Sequence, residues 1–277
     1  GEDYLGDRTA DEDFFLYVNL MEPHEPYHPP QRYVDKHGVT DESVIPHRQK
    51  DMFTKDDIDY DELRRMYDAS VDYTDDLVGR ITDALAANDL DDDTVVVLLS
   101  DHGQALGEDG VFGHQFTVAD PVIETVLMVD HPDLEARRED RPFELRRLHA
   151  LVPYYAGVRS AQPDVFGGTI RGGYEFPENF TGYIPSDQWD EYYRQARYVR
   201  RDGTTVVKST AEDGSARYTA RDVTGEEVPV PDELKREVDA IGDVDVGDTG
   251  DQRSEAGEPA GDVDDEIEDR LEALGYR

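Results

Sequence analysis

Histidine and aspartate side chains in two short segments are the groups in this sequence best suited to chemistry. Residues 21–27, MEPHEPY, place His24 between two prolines, and residues 100–114, SDHGQALGEDGVFGH, begin with the neighbours Asp101 and His102. An imidazole titrates near neutral pH and so suits proton transfer, whereas a carboxylate beside an imidazole suits a divalent metal ion. The neighbours Asp101 and His102 therefore predict a metal site.

Each of these segments follows a run of apolar residues that is typical of a buried strand. Residues 14–20, FFLYVNL, come before the first segment, and residues 94–99, TVVVLL, come before the second. Between them, apolar residues at helical spacing from Leu63 onward predict a long amphipathic helix with Asp59 or Asp61 at its start. Strand, helix and strand in this order predict a parallel sheet, whose loops converge beyond the carboxyl ends of the strands.

Short motifs also have plainer explanations. Asp101 and His102 can face one ion only if the backbone turns sharply, and Gly103 supplies that freedom. In the alternative, Asp101 caps a turn in a solvated loop and His102 has no role. For His24 the alternative is a surface loop stiffened by proline, and His28 is expected to be merely exposed.

The two motifs together resemble those of the sulfatase family. The resemblance rests on Asp-His-Gly after a strand, then Leu-Gly-Glu and Phe-Gly-His, and on Pro-His followed by Pro-Tyr in the earlier segment. It implies that Asp101 and His102 bind a divalent metal, and that His114 replaces the group that contacts the sulfate. It also implies that His24 contacts the sulfate or protonates the departing alkoxide. Two positions depart from the family pattern: Gln104 stands where Glu is common, and Asp109 where His is common.

The nucleophile that the resemblance implies is missing from the printed sequence. Sulfatases carry a Cys or Ser, oxidised to formylglycine, in a Cys/Ser-X-Pro-X-Arg motif, and an Asp-Asp pair completes the metal site. The 277 residues contain no cysteine and no Ser-X-Pro-X-Arg. We therefore expect a C-terminal portion of a sulfatase that is inactive or incomplete by itself, with an N-terminal half as a candidate partner.

Several consequences of the resemblance stay open. The expected cofactor is Ca²⁺ or Mg²⁺, and His102 leaves Mn²⁺ open. The expected substrate is a sulfated small molecule or a sulfated saccharide. A phosphodiester or phosphonate monoester hydrolase of the same superfamily is the enzymatic alternative. A catalytically inactive remnant that acts as a binding module is the other.

The expected fold class is α/β, as part of an alkaline-phosphatase-like sandwich with a mostly parallel sheet and a smaller C-terminal α+β lobe. Residues 1–165 are expected to form the C-terminal part of the catalytic domain, and residues 166–241 the smaller antiparallel lobe. Within that lobe, Asp202-Gly203 predicts a hairpin turn. Residues 242–277 are expected to form an acidic linker and a terminal helix.

The charge of the chain limits its partners and its environment. With 28 basic and 66 acidic residues the net charge is −38, so repulsion from phosphates argues against nucleic-acid binding. So acidic a chain with so few lysines indicates an extreme halophile, because molar salt screens the self-repulsion. No apolar run is long enough to span a membrane, and we expect a cytoplasmic, high-salt location, with secretion left open.

Overall fold

The computed structural model describes residues 2–6, 13–132, 134–161 and 163–242. The chain divides into two units, Gly1–Ala240 and Ile241–Arg277, and nearly all described residues belong to the first. The predicted acidic linker and terminal helix lie outside the described residues, apart from Gly242. The helices are α1 (Glu2–Gly6), α2 (Gln31–His37), α3 (Tyr60–Ala87), α4 (Asp120–Ile123), α5 (Leu148–Tyr155), α6 (Trp189–Tyr192) and α7 (Asp232–Asp239).

The long helix α3 confirms the prediction made from helical spacing. It begins after Asp59, whose carboxylate accepts hydrogen bonds from the backbone N–H groups of Asp61 at 2.9 Å and Glu62 at 3.1 Å. These bonds satisfy two of the N–H groups that a helix start leaves without partners. Leu63 and Met66 are buried on the inner face. The helix thus presents one apolar stripe to the core beneath the candidate site.

The described strands form three antiparallel sheets. Their bounds are β1 (Val96–Leu99), β2 (Ala105–Leu106), β3 (Phe112–Gly113), β4 (Leu127–Asp130), β5 (Ile170–Tyr174), β6 (Arg194–Arg201), β7 (Thr204–Ala211) and β8 (Ala216–Arg221). Strand β1 pairs with β4, β2 pairs with β3, and the last four strands form one sheet in the order β5-β6-β7-β8. The mixture of helices and strands confirms the α/β class.

The direction of strand pairing corrects one part of the prediction. A mostly parallel sheet was expected from the strand-helix-strand order, but every pairing among the described strands is antiparallel. Residues 14–20 form no strand in the described structure. Phe14 and Leu16 pack against a cluster that contains Leu5, whereas Tyr17 is 78% exposed. Side chains of residues 14–17 therefore alternate between packed and exposed, as in a strand. Among the described residues, however, the backbone of residues 14–20 pairs with no neighbouring strand. Helix α3 therefore does not connect two paired strands.

The C-terminal sheet has the hairpin that its sequence predicts. Asp202 and Gly203 both adopt positive φ angles, 50° and 78°, which the tight turn between β6 and β7 requires. Leu234 and Val238 of α7 are buried, and the helix contacts β6 and β7. This sheet begins shortly after residue 165, although the domain boundary at that position stays a prediction.

The core nearest to the candidate site is built from α2, α3 and β3. Its buried members are Tyr27, Val34, Ile45, Leu63, Met66 and Phe112. The rings of Tyr27 and Phe112 meet edge to face with centroids 6.4 Å apart. Because both residues adjoin loops that carry histidines, this core fixes the loops in place. No described helix has the length and apolar content needed to cross a membrane.

Candidate functional site

The loop that carries His24 lies between two prolines and ends in the core. Cis peptide bonds precede Pro23 and Pro26, and the backbone N–H of His24 donates to the carbonyl of Met21 at 2.8 Å. The Nδ1 atom of His24 lies 2.5 Å from the carbonyl oxygen of Glu25. A carbonyl oxygen can only accept, so Nδ1 of His24 carries the hydrogen of this bond. Nε2 is the ring nitrogen that remains for the site.

The β2–β3 hairpin places Gln104 opposite His114. Ala105 pairs with Gly113 and Leu106 with Phe112, so Gln104 and His114 are the next opposed residues along the two strands. Their side chains meet, with Oε1 of Gln104 3.1 Å from Nδ1 of His114. The nine residues between them in sequence therefore fold into a two-stranded element that brings a buried amide to an imidazole.

Gly103 has a different structural role from the one expected. Its φ is not in the left-handed region, but its backbone touches another segment closely. Its N–H donates to the carbonyl of Val122 at 2.8 Å, and a Cβ built on it would lie 1.9 Å from the carbonyl oxygen of Pro121. A side chain at this position would separate the two backbones. Glycine is thus required by close approach rather than by a sharp turn.

Three histidines from different loops lie side by side in the structure. The rings of His102 and His114 are stacked with centroids 4.1 Å apart, and the rings of His24 and His114 are 5.8 Å apart. His102 bonds through Nδ1 to the carbonyl oxygen of Gly103 at 2.8 Å, so its hydrogen is also on Nδ1. The structure therefore brings together the predicted histidines of both motifs, although His24 and His102 are 78 positions apart in the sequence.

Asp101 and His102 fit part of a metal site. Oδ2 of Asp101 lies 3.9 Å from Nε2 of His102, a separation compatible with two ligands of one ion. The Nδ1–H bond to a carbonyl is typical of a histidine that binds metal through Nε2. The Asp101 side chain is 76% exposed and so accessible to an ion. Among the described residues, however, no group of three or more His, Asp or Glu side chains is arranged to hold a metal.

Burial and neighbouring imidazoles disfavour a positive charge on His114. Burial, followed by the nearby rings of His102 and His24, lowers the pKa of His114 to about 4, although Glu25 and Asp101 act in the opposite direction. Both causes penalise the imidazolium form. His114 is therefore neutral at neutral pH, unlike a permanently cationic group that would contact a sulfate.

Glu25 and Tyr27 were not singled out from the sequence, and Gln104 was noted there only as a departure from the family pattern. Gln104 donates through Nε2 to Oε2 of Glu25 at 3.0 Å and to the hydroxyl of Tyr27 at 2.9 Å. The side chain of Glu25 is 8% exposed, and Tyr27 is buried. Burial and the charge of Glu25 raise the pKa of Tyr27 well above its ordinary value, so its hydroxyl stays protonated. The available signal was the position of Glu25 directly after His24; Tyr27 and Gln104 are adjacent to no motif histidine in sequence.

Comparison with known proteins gives the family. A sequence model of the sulfatase family matches residues 1–143, which are slightly more than half of the 277-residue chain. The matched range contains both histidine motifs and the β2–β3 hairpin. The chain belongs to the sulfatase family. Members of this family are metal-dependent enzymes.

The related sequences are longer than this sulfatase-family chain. It is 27% identical over 208 residues to the uncharacterized sulfatase YidJ of Escherichia coli (strain K12), which covers 65% of this chain and 41% of that protein. It is 31% identical over 115 residues to a choline-sulfatase of Rhizobium meliloti (strain 1021), covering 35% of this chain and 22% of that protein. The chain thus spans less than half the length of these relatives.

Solved structures of similar fold support the alkaline-phosphatase-like architecture of the family. One is a sulfatase from a glycosaminoglycan-metabolism locus of Bacteroides thetaiotaomicron, with TM-score 0.62, 18% identity, and coverage of 86% of this chain and 54% of that one. Another is the phosphonate monoester hydrolase SpPMH from Silicibacter pomeroyi, with TM-score 0.60, 17% identity, and coverage of 82% and 53%. At these identities the similarity shows the fold, and the fold is common to both activities.

Proposed function

We propose that this chain supplies the metal-binding and histidine side of a site that hydrolyses sulfate monoesters. The observation that carries the proposal is the convergence of His24, His102 and His114 from three loops, with ring centroids 5.8 Å and 4.1 Å from the ring of His114. None of the three histidines belongs to the buried hydrophobic cluster that contains Tyr27 and Phe112. Their convergence is the arrangement that chemistry on one bound group needs.

The residues have separable roles in this proposal. Asp101 and His102 hold a divalent ion, which when bound neutralises charge on the oxygens of the sulfate. In its protonated form His24 would carry on Nε2 the proton for the departing oxygen, while its Nδ1–H is held by a carbonyl. His114 contacts the bound ester or a water beside it. A sulfated small molecule or saccharide is the proposed substrate, Ca²⁺, Mg²⁺ or Mn²⁺ the proposed ion, and an N-terminal half of the family the proposed partner.

The supporting evidence is the family membership and the geometry of the motif residues. Phosphonate monoester hydrolases share the fold, but no specific contact among the described residues favours hydrolysis of phosphonate monoesters or phosphodiesters. A binding module without catalysis would use the same ion and histidines. A measurement of ion binding followed by turnover separates these possibilities.

The direct test is isothermal titration of the full chain with Mn²⁺, Mg²⁺ or Ca²⁺ in high-KCl buffer. We expect Asp101→Asn and His102→Gln each to weaken binding by at least roughly 10-fold, because even the loss of an outer-shell partner of a metal ligand typically costs about 10- to 100-fold. His149→Gln is the matched control, because His149 is exposed and bonds the carbonyl of Arg146. Equal affinity in the wild type and the Asp101 and His102 variants would refute the metal role.

Turnover is then assayed with an aryl sulfate, an aryl phosphate and a phosphonate monoester, each with the ion that binds. Sulfate release that His24→Ala abolishes would support hydrolysis and require a nucleophile outside the family motif. Release from the phosphonate alone would favour the alternative enzyme. Ion binding without any turnover would support an incomplete site that needs the proposed N-terminal partner.

A further inference from the structure

We infer that Gln104 is a positioning residue that fixes the tautomer of His114, with the hydrogen on Nδ1 and none on Nε2 of the neutral ring. The inference deepens the proposed function and rests on it for the role of His114 in the reaction. It follows from the hydrogen-bonding capacities of four side chains and not from their titration.

The orientation of the Gln104 amide is determined by its neighbours. Its nitrogen lies 3.0 Å from Oε2 of Glu25, and an ionised carboxylate can only accept a hydrogen bond. The other amide hydrogen points to the hydroxyl of Tyr27 at 2.9 Å. The flipped amide would set its oxygen against the carboxylate in a buried place, where an unsatisfied pair of acceptors is costly. Both hydrogens of the amide therefore have partners in one orientation alone.

The amide oxygen then decides the state of His114. Oε1 of Gln104 lies 3.1 Å from Nδ1 of His114, and an amide oxygen can only accept. Nδ1 must therefore carry a hydrogen, so the neutral ring has a lone pair on Nε2. His24 and His102 reach the same tautomer through backbone carbonyls, whereas His114 depends on a side chain that substitution can remove.

This tautomer limits what His114 can bind. A neutral imidazole with no hydrogen on Nε2 cannot donate a hydrogen bond to the bare oxygens of an ionised sulfate. It can accept one from a hydroxyl group or a water molecule at the site. We therefore expect Nε2 of His114 to accept a hydrogen bond from a hydroxyl of the substrate or from the attacking water. This nitrogen does not contact the sulfate oxygens.

The contact with Glu25 also explains why Gln, rather than Glu, fits at position 104. A carboxylate there would face the carboxylate of Glu25 at the distance of the present hydrogen bond, and two buried like charges repel. Exchanging the two residue types keeps one amide and one carboxylate in contact. In Glu25→Gln/Gln104→Glu, the carboxylate at position 104 can still accept from Nδ1 of His114.

The test is two-bond ¹H–¹⁵N correlation NMR on the full chain labelled with ¹⁵N-histidine. The spectra are recorded in high-KCl buffer without added divalent metal, at a pH well above about 6.5, the ordinary imidazole pKa. His114→Gln assigns the His114 signals. We expect wild-type His114 to show an unprotonated Nε2 and a protonated Nδ1. In Gln104→Leu we expect it to shift toward the Nε2–H form, which free histidine prefers. The signals of His24 and His102 are internal controls that stay unchanged.

The charge-exchange variant keeps the test decisive if Gln104→Leu does not fold. We expect Glu25→Gln/Gln104→Glu to retain the wild-type tautomer of His114 and to melt at a higher temperature than Gln104→Glu alone. Wild-type His114 with its hydrogen on Nε2, or an unchanged tautomer in folded Gln104→Leu, would overturn the inference. Because the readout is spectroscopic, this result is independent of whether the chain hydrolyses any sulfate ester.

Discussion

His114 lies where two imidazoles and a buried amide meet, and this environment has a consequence for stability. Its pKa is about 4 in the folded chain, against about 6.5 for an unperturbed histidine. Between these values the unfolded chain binds more protons than the folded chain. The stabilising contribution of neutral His114 is therefore complete above the unfolded pKa and is lost as the pH falls toward 4.

A substitution of His114 should reveal this pH dependence. Between pH about 6.5 and about 4.5, the free energy of unfolding should fall by roughly 2 kcal/mol more in the wild type than in His114→Gln. Urea titrations at the two pH values measure the difference, and carboxylates shared by both proteins cancel in it. His149→Gln should retain the wild-type dependence. An equal fall in the wild type and His114→Gln would show that His114 keeps an ordinary pKa.

At the scale of elements, the start of α3 is important because this helix carries much of the core below the site. Asp59 alone satisfies two backbone N–H groups at the first turn, and Leu63 begins the buried face one turn later. The same turn holds Glu62, whose carboxylate accepts from the backbone N–H of Thr40 at 3.0 Å. Loss of the cap should therefore weaken both the helix and its contact with the loop after α2.

Replacement of the helix cap gives a test at this scale. We expect Asp59→Ala to lower the free energy of unfolding by about 0.5–2 kcal/mol, the usual cost of removing an Asp cap. Asp75→Ala is the control. Asp75 is exposed in the middle of the same helix, and its substitution removes the same charge as Asp59→Ala. Chemical denaturation in constant KCl measures both. A loss as large in Asp75→Ala would mean that charge, and not capping, governs the effect.

The β2–β3 hairpin is the second element on which the site depends. It contains only two residues in each strand, yet its register sets Gln104 against His114. Neither two-residue strand is long enough to show an apolar alternation. The sequence therefore identified His114 through its family motif, whereas its partner became evident only from the pairing of the strands.

For the whole molecule, charge is the dominant feature. A net charge of −38 on 277 residues opposes the compact state, because like charges are brought closer on folding. Ion pairs reduce the repulsion between acidic residues only locally. Examples are the pairs of Arg200 with Glu124 and of Arg201 with Glu237. Screening by salt acts on all charges together.

Stability should therefore increase strongly with salt. The Debye length falls from about 10 Å at 0.1 M to about 3 Å at 1 M salt, so most of the repulsion should be lost over this range. We expect the melting temperature to rise continuously from 0.1 M to 1 M KCl and above, as measured by circular dichroism. The osmolyte sucrose, which adds no ions, serves as the control. A melting temperature that does not depend on KCl would contradict the proposed adaptation to high salt.

Local patterns in the sequence determined the long helix, the Asp202-Gly203 hairpin and the residues of the two motifs. These features depend on side-chain spacing, capping and turn geometry over a few positions, so they need no knowledge of distant contacts. The sequence also determined the charge and, through its motifs, the family.

The tertiary structure decided the features that depend on distant segments. The antiparallel pairing of β1 with β4 and the unpaired backbone of residues 14–20 follow from which strands are adjacent in space. The need for glycine at position 103 follows from the approach of Pro121. The amide of Gln104 between Glu25 and His114 joins residues up to 89 positions apart. Such contacts arise from packing of the whole chain, and no local period or turn signal encodes them.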